Sequence, residues 1–165
     1  MSTTTHKAAS PQDLAFAVIT VSDSCARGAA EDSSGKHAVE ALSPDYKCIG
    51  HLTVPDDVGR IKSAIYSVHR DVDFVVTTGG TGISPRDVTI DAVRELGIRE
   101  IPGFGELFRR LGYDEIGTAA MLSGALAGVL DGKCVFCLPG SEPAVRLGIS
   151  LISHEVAHII KHARE

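Results

Sequence analysis

Three short runs in this 165-residue chain are apolar and β-branched almost throughout, without the alternation of a half-solvated strand: Ala15 to Val21, Asp73 to Thr78 and Lys133 to Leu138. Such runs suit parallel strands buried on both faces. Helical spacing follows two of them or stands between them, at Val58, Ile61, Ile65 and Val68, and again at Val145, Ile149, Ile152, Val156 and Ile159. A shorter helix is expected from about Gly35 to Leu42, and a weaker strand, at an edge, from Tyr46 to Thr53, ended by Pro55-Asp56-Asp57. Strands alternating with helices imply right-handed βαβ units and an α/β fold with a mostly parallel, doubly wound sheet. Ligands of such sheets sit at the carboxyl ends of the strands. The loops that begin at Ser22, Gly79 and Pro139 all lie at such ends.

The first 13 residues, MSTTTHKAASPQD, are polar, Ser/Thr-rich and aperiodic, and are expected to form a flexible tail; residues 14–165 then form a single domain. With 44% hydrophobic residues, 5% aromatics and no Trp, an aliphatic core is expected. A net charge of −5 without a Lys/Arg cluster argues against nucleic acid as a partner. No stretch approaches the ~20 apolar residues of a membrane span, and the N-terminus lacks a signal-peptide core, so neither membrane nor export is expected and the protein is placed in the cytoplasm. Four cysteines, Cys25, Cys48, Cys134 and Cys137, are then expected as reduced thiols.

Gly79-Gly80-Thr81-Gly82 can bring backbone N–H groups together without Cβ interference, and a following helix would add its positive end, which suits a phosphate. The same loop can equally be a tight strand-to-helix turn. It is neither a Walker A loop nor a dinucleotide-binding loop. Ser84-Pro85-Arg86-Asp87 carries a helix-start signature, with Ser at N-cap, Pro at N1 and an acid at N3, for a helix through Leu96. Asp56 and Asp87 each follow a strand and could hold Mg²⁺ over nucleotide phosphates, or could be plain helix caps. Ser22-Asp23 offers a ligand contact or an Asx turn. Between Pro102 and Leu130 the pattern is helical but broken by glycines.

Several of these motifs occur in a recognisable order. Thr77-Thr78-Gly79-Gly80-Thr81-Gly82, Pro85-Arg86-Asp87-Val88-Thr89, Pro102-Gly103-Phe104-Gly105-Glu106, Glu115-Ile116-Gly117 and Leu138-Pro139-Gly140-Ser141 together resemble the MoaB/MogA family of molybdenum-cofactor biosynthesis proteins, related to the gephyrin G domain. The likeness spans nearly all of the chain after the tail and is greatest to the MoaB branch. It implies a three-layer α/β fold, a homotrimer or a hexamer of paired trimers, and Mg-ATP-dependent adenylylation of molybdopterin with release of pyrophosphate. It also implies contacts with other cofactor-assembly proteins. By the same resemblance Asp56 and Asp87 are the catalytic, Mg²⁺-binding acids and Gly79, Gly80, Thr81 and Gly82 bind the nucleotide phosphates. Ser22, Asp23, Pro139, Gly140 and Ser141 lie near the pterin and its phosphate.

One departure is Gly124, where the family commonly has Arg after Met121-Leu122-Ser123. Loss of that cation leaves a non-catalytic molybdopterin- or nucleotide-binding protein as the alternative, with Arg109 or Arg146 as possible replacements for the charge. His154-Glu155-Val156-Ala157-His158 spells the H-E-x-x-H zinc motif, the rival from another class, a zinc hydrolase. His162 would extend the row, but i and i+8 stand about 12 Å apart along a helix. Cys134-Val135-Phe136-Cys137 spells C-x-x-C, yet within a strand its two thiols point to opposite faces.

Overall fold

The computed structural model of the chain describes residue 11 and residues 13–165, so most of the expected tail lies outside the described residues. Six strands form one sheet: β1 (Ala15–Val21), β2 (Lys47–Val54), β3 (Phe74–Thr78), β4 (Arg99–Glu100), β5 (Leu126–Leu130) and β6 (Lys133–Leu138). Their spatial order is β2-β1-β3-β6-β5-β4. β2, β1, β3 and β6 are parallel, while β5 runs antiparallel to β6 and to β4. The helices are α1 (Asp23–Ala26), α2 (Ser33–Leu42), α3 (Val58–His69), α4 (Thr89–Arg94), α5 (Pro102–Ile116) and α6 (Glu142–Arg164), with a 3₁₀ segment at Gly117–Leu122. The three apolar runs are the three central strands, and β2, with alternating exposure, is an edge as expected.

Helices cover both faces, giving the three layers. Against α2, α5 and α6 the sheet presents Phe16, Val18, Phe74, Val76, Cys134 and Phe136. Against α3 and α4 it presents Ala17, Ile19, Val21, Val75, Val135 and Cys137. The expected aliphatic core is found on both faces, but on the first it surrounds a cluster of phenylalanines. On the first, Phe16 pairs in register with Phe74 and stacks on it at 5.6 Å, and Phe136 meets Phe74 edge-on at 6.3 Å. Five phenylalanines suffice because three of them fall on one face of adjacent strands. Cys134 and Cys137 point to opposite faces, both buried, and burial pushes each thiol up to about 12.

Four local expectations change. The apolar stripe of α6 ends on Ile160, fully buried, rather than Ile159. α2 begins at Ser33, because the Asp32 carboxylate caps it by accepting from the Gly35 amide at 2.8 Å. β5 was hidden in the segment read as broken helix; its Leu126-Ala127-Gly128-Val129-Leu130 is a β-run that folds back on β6 through Asp131-Gly132, both at positive φ. Ser84-Pro85-Arg86-Asp87 closes on itself as a turn, with Asp87 Oδ2 accepting from the Ser84 amide at 3.0 Å, and the helix begins only at Thr89.

Candidate active site

Parallel registration sets Thr20, Thr78 and Leu138 side by side, so the loops that follow β1, β3 and β6 emerge together. They are tied at once. The Gly79 amide donates to the Leu138 carbonyl at 3.0 Å, and the Ser22 amide donates to the Val54 carbonyl at 2.9 Å. The backbone of Gly140 packs on that of Gly79, where a Cβ on Gly140 would stand 3.2 Å from the Gly79 Cα. Ser22, Gly79, Gly80 and Gly140 line one cavity of about 390 Å³ together with the start of α2. Pro139 and Ser141 line a neighbouring cavity of about 130 Å³ with Ser123 and Phe108.

Gly80 has φ +63°, and a Cβ there would run into the Thr89 hydroxyl and stand 2.9 Å from Asp56 Oδ1. A glycine is thus required by both conformation and space. Thr89 fastens the loop twice: its hydroxyl donates to the Gly79 carbonyl and its amide to the Gly80 carbonyl, each at 2.9 Å. These bonds modify the expectation of an amide cradle. The Gly79 N–H is engaged by the sheet, and the first N–H of α4 meets Gly80 rather than an open space.

The two carboxylates flank this loop. Asp56 Oδ1 lies against Gly80, and Asp87 Oδ2 stands 2.7 Å from where a Cβ on Gly82 would be. Partial burial, and next the negative charge of Asp87, hold the Asp56 carboxyl above its ordinary range. A pair of acids whose mutual repulsion reaches the titration of one is an electrostatic fit for a divalent cation bound between or beside them. Asp56 is positioned by Asp23, whose amide it accepts at 2.9 Å, and Asp23 also takes an ion pair from Arg86. The strands, turns and caps thus bring Ser22, Asp23, Asp56, Asp87 and residues 79–82 to one end of the sheet, while Pro139 and Ser141 stand in the next cavity.

Three residues at this end were not singled out by sequence. Thr20 and Asp32 line the 390 Å³ cavity, and Asp32 Oδ2 accepts from the Thr20 hydroxyl at 2.6 Å and lies 2.7 Å from His51 Nε2. Burial raises the Asp32 carboxyl, but the Thr20 hydroxyl, the Gly35 amide and His51 outweigh it, so its pKa is lowered overall. The cap signature Asp-Ser-Ser before Gly35 was the available clue, masked by the polar run in which it lies.

Gly124 has a different meaning in the fold than in the sequence. A Cβ at this position would run into the Thr81 carbonyl oxygen, so the residue is fixed by the close approach of two backbones. Arg109 donates to the adjacent Ser123 carbonyl at 3.4 Å, and Arg146 pairs with Glu142 on the exposed side of α6. The H-E-x-x-H pair does not converge: His154 Nδ1 lies 2.6 Å from the Ser150 carbonyl, while His158 turns to Glu155 and His162. Among the described residues no group of three or more His, Cys, Asp or Glu is arranged to hold a metal.

A family profile described as a probable molybdopterin binding domain matches residues 17–158. The chain is 44% identical to the molybdopterin adenylyltransferase of Pyrococcus furiosus over 165 residues, covering 97% of each chain. It is 44% identical to molybdenum cofactor biosynthesis protein B of Bacillus cereus, covering 96% of each. The crystal structure of the tungsten cofactor synthesizing protein MoaB from P. furiosus superposes with a TM-score of 0.88 at 44% identity, covering 94% of this chain and 99% of that one.

Proposed function

We propose, from the premise that this chain belongs to the molybdopterin-binding family of MoaB and MogA proteins, that it is a molybdopterin adenylyltransferase serving molybdenum-cofactor biosynthesis. An oxygen of the molybdopterin phosphate attacks the α-phosphorus of ATP; the new P–O bond forms as the bond to the β-phosphate breaks, and pyrophosphate leaves. The single observation that carries this function is the pair Asp56 and Asp87 set on either side of a glycine loop at the carboxyl end of a parallel sheet.

Transfer of this kind needs positioning and charge neutralisation more than a covalent nucleophile. The amides of Gly80, Thr81 and Gly82 are assigned to the ATP phosphates. Ser22, Asp23, Pro139, Gly140 and Ser141 are assigned to the pterin and its phosphate, which the two adjoining cavities can receive. Asp56 and Asp87 are the residues that would hold Mg²⁺, which supplies neutralisation of the triphosphate and polarisation of the α-phosphorus. Asp23 orients Asp56, and Arg86, tethered to Asp23 at the surface, is placed to exchange that carboxylate for a phosphate.

Residues 14–165 act as one molybdopterin-binding unit in this account. An exposed apolar set on α5 and the 3₁₀ segment, Leu107, Leu111, Ile116, Met121 and Leu122, supports self-association as a homotrimer or as paired trimers. No described helix is long and apolar enough to cross a membrane. A cytoplasmic location is proposed with the function, as are contacts with other cofactor-assembly proteins.

The test is to follow pyrophosphate and adenylylated pterin with the purified chain, molybdopterin, ATP and Mg²⁺, omitting each in turn. Release of pyrophosphate only with all present is expected. Tight molybdopterin binding without pyrophosphate would leave the alternative, a binding protein of the same family.

A further inference from the structure

Near the end of α6, outside the two cavities at the strand ends, His158 and His162 stand one helical turn apart with their Nε2 atoms at 2.9 Å and ring centroids at 4.7 Å. The other nitrogen of each ring faces a carboxylate. His158 Nδ1 lies 3.3 Å from Glu155 Oε2, and His162 Nδ1 lies 3.0 Å from Glu165 Oε2. Both imidazoles line a cavity of about 480 Å³, larger than the one at the strand ends, whose opposite wall carries Arg99, Glu100 and Val129. The family function assigns this cavity no part.

A carboxylate beside each Nδ1 favours Nδ1–H on both rings, which turns the lone pairs of both Nε2 atoms toward one point between them, across 2.9 Å. Two nitrogens roughly 2.0–2.1 Å from one ion are themselves roughly 2.9 Å apart at a right angle and 3.4 Å apart at the tetrahedral angle. The observed separation needs little or no change to accept an ion between the two nitrogens.

We propose that His158 and His162 form a site for a borderline divalent transition cation, Zn²⁺ or Ni²⁺. The ion forms one bond to each Nε2. Glu155 and Glu165 orient the rings through Nδ1, as the outer carboxylates of histidine metal sites do. Among the described residues the charged groups that face the pair are Glu155 and Glu165 on the helix and Arg99 and Glu100 across the cavity. Among the described residues no third His, Cys, Asp or Glu joins them, so water completes the shell and the ion is exchangeable rather than structural.

The test is isothermal titration of the full chain at pH 7.5 with Ni²⁺ and with Zn²⁺, in excess Mg²⁺ so that the acid pair Asp56 and Asp87 is already supplied with its cation. Expected is one ion per chain at the histidine pair. His158→Gln and His162→Gln should each weaken binding at least tenfold, and Glu165→Gln by about 10- to 100-fold. His162 is half-exposed, so its variant should melt as the parent does. Binding at parental strength in either His variant would overturn the proposal. None of these readouts depends on adenylyl transfer, so failure of one account leaves the other standing.

Discussion

Asp23 and Asp56 hold each other by exchange: the Asp23 amide donates to Asp56 Oδ2 at 2.9 Å, and the Asp56 amide donates to Asp23 Oδ1 at 3.1 Å. The loops after β1 and β2 are fastened by this double bond, and Asp56 is left with its other oxygen against Gly80. Asp23→Ala removes an acceptor and the Arg86 ion pair, and should cost about 1 kcal/mol, most of it from the orphaned amide because an exposed ion pair contributes little. Asp23→Asn keeps a carbonyl acceptor and should recover most of that loss in thermal melts. Equal melting of the two variants would show that the exchange does not fasten the loops.

The raised pKa of Asp56 predicts a trade-off between stability and activity. Its folded value lies above its unfolded one, so the folded state binds more protons in between and stability falls as pH rises through that window. Asp56→Asn keeps an acceptor for Asp23 but removes the charge opposed to Asp87. Its melting temperature relative to wild type should therefore climb from pH 3.5 upward and level off above the Asp56 pKa. A variant equally or less stable than wild type at pH 7 would contradict the repulsion.

Gly80 and Gly28 both have positive φ, +63° and +71°, but only Gly80 is crowded, by Thr89 and Asp56, while nothing lies within 4 Å of a Cβ on Gly28. Gly28→Ala should cost about 1 kcal/mol for backbone strain alone. Gly80→Ala should cost roughly 2–4 kcal/mol and abolish nucleotide binding. Chemical denaturation of the pair separates conformation from contact, and equal costs would mean that the loop yields freely.

Gly124→Arg, read from sequence, restores a cation; read from the fold, it drives a side chain into the Thr81 carbonyl. The expected result is a loss of at least 1–3 kcal/mol and lower turnover. An unchanged melting temperature with faster turnover would show that the loop adapts and that the charge was the missing part.

The buried parallel strands were legible because a run such as Ala15–Val21 has no solvent face to encode, and the meeting of Asp56 and Asp87 at the glycine loop was legible because each follows a strand end. β5 was not. Its two glycine-flanked apolar runs fit a helix as well as a strand, and only pairing with β6 decides between them. Of the capping box that Ser84 to Asp87 spell, only half forms: Asp87 Oδ2 accepts from the Ser84 amide, while the Ser84 hydroxyl accepts from Arg86, and the group stands as an isolated turn. The helix starts after Val88, at Thr89, whose bonds to Gly79 and Gly80 are tertiary and invisible to local pattern. The packing role of Gly124 was hidden for the same reason, since its neighbour Thr81 is 43 residues earlier in the chain.

The central claim is that Asp56 and Asp87 turn a pterin-binding pocket into an adenylyltransferase. It is tested most directly by measuring, on one preparation each of wild type, Asp56→Asn and Asp87→Asn, both molybdopterin affinity and single-turnover formation of adenylylated molybdopterin with Mg-ATP. Retained affinity with product formation reduced at least a hundredfold in both variants is the predicted result. Product formed at the wild-type rate in either variant would contradict it.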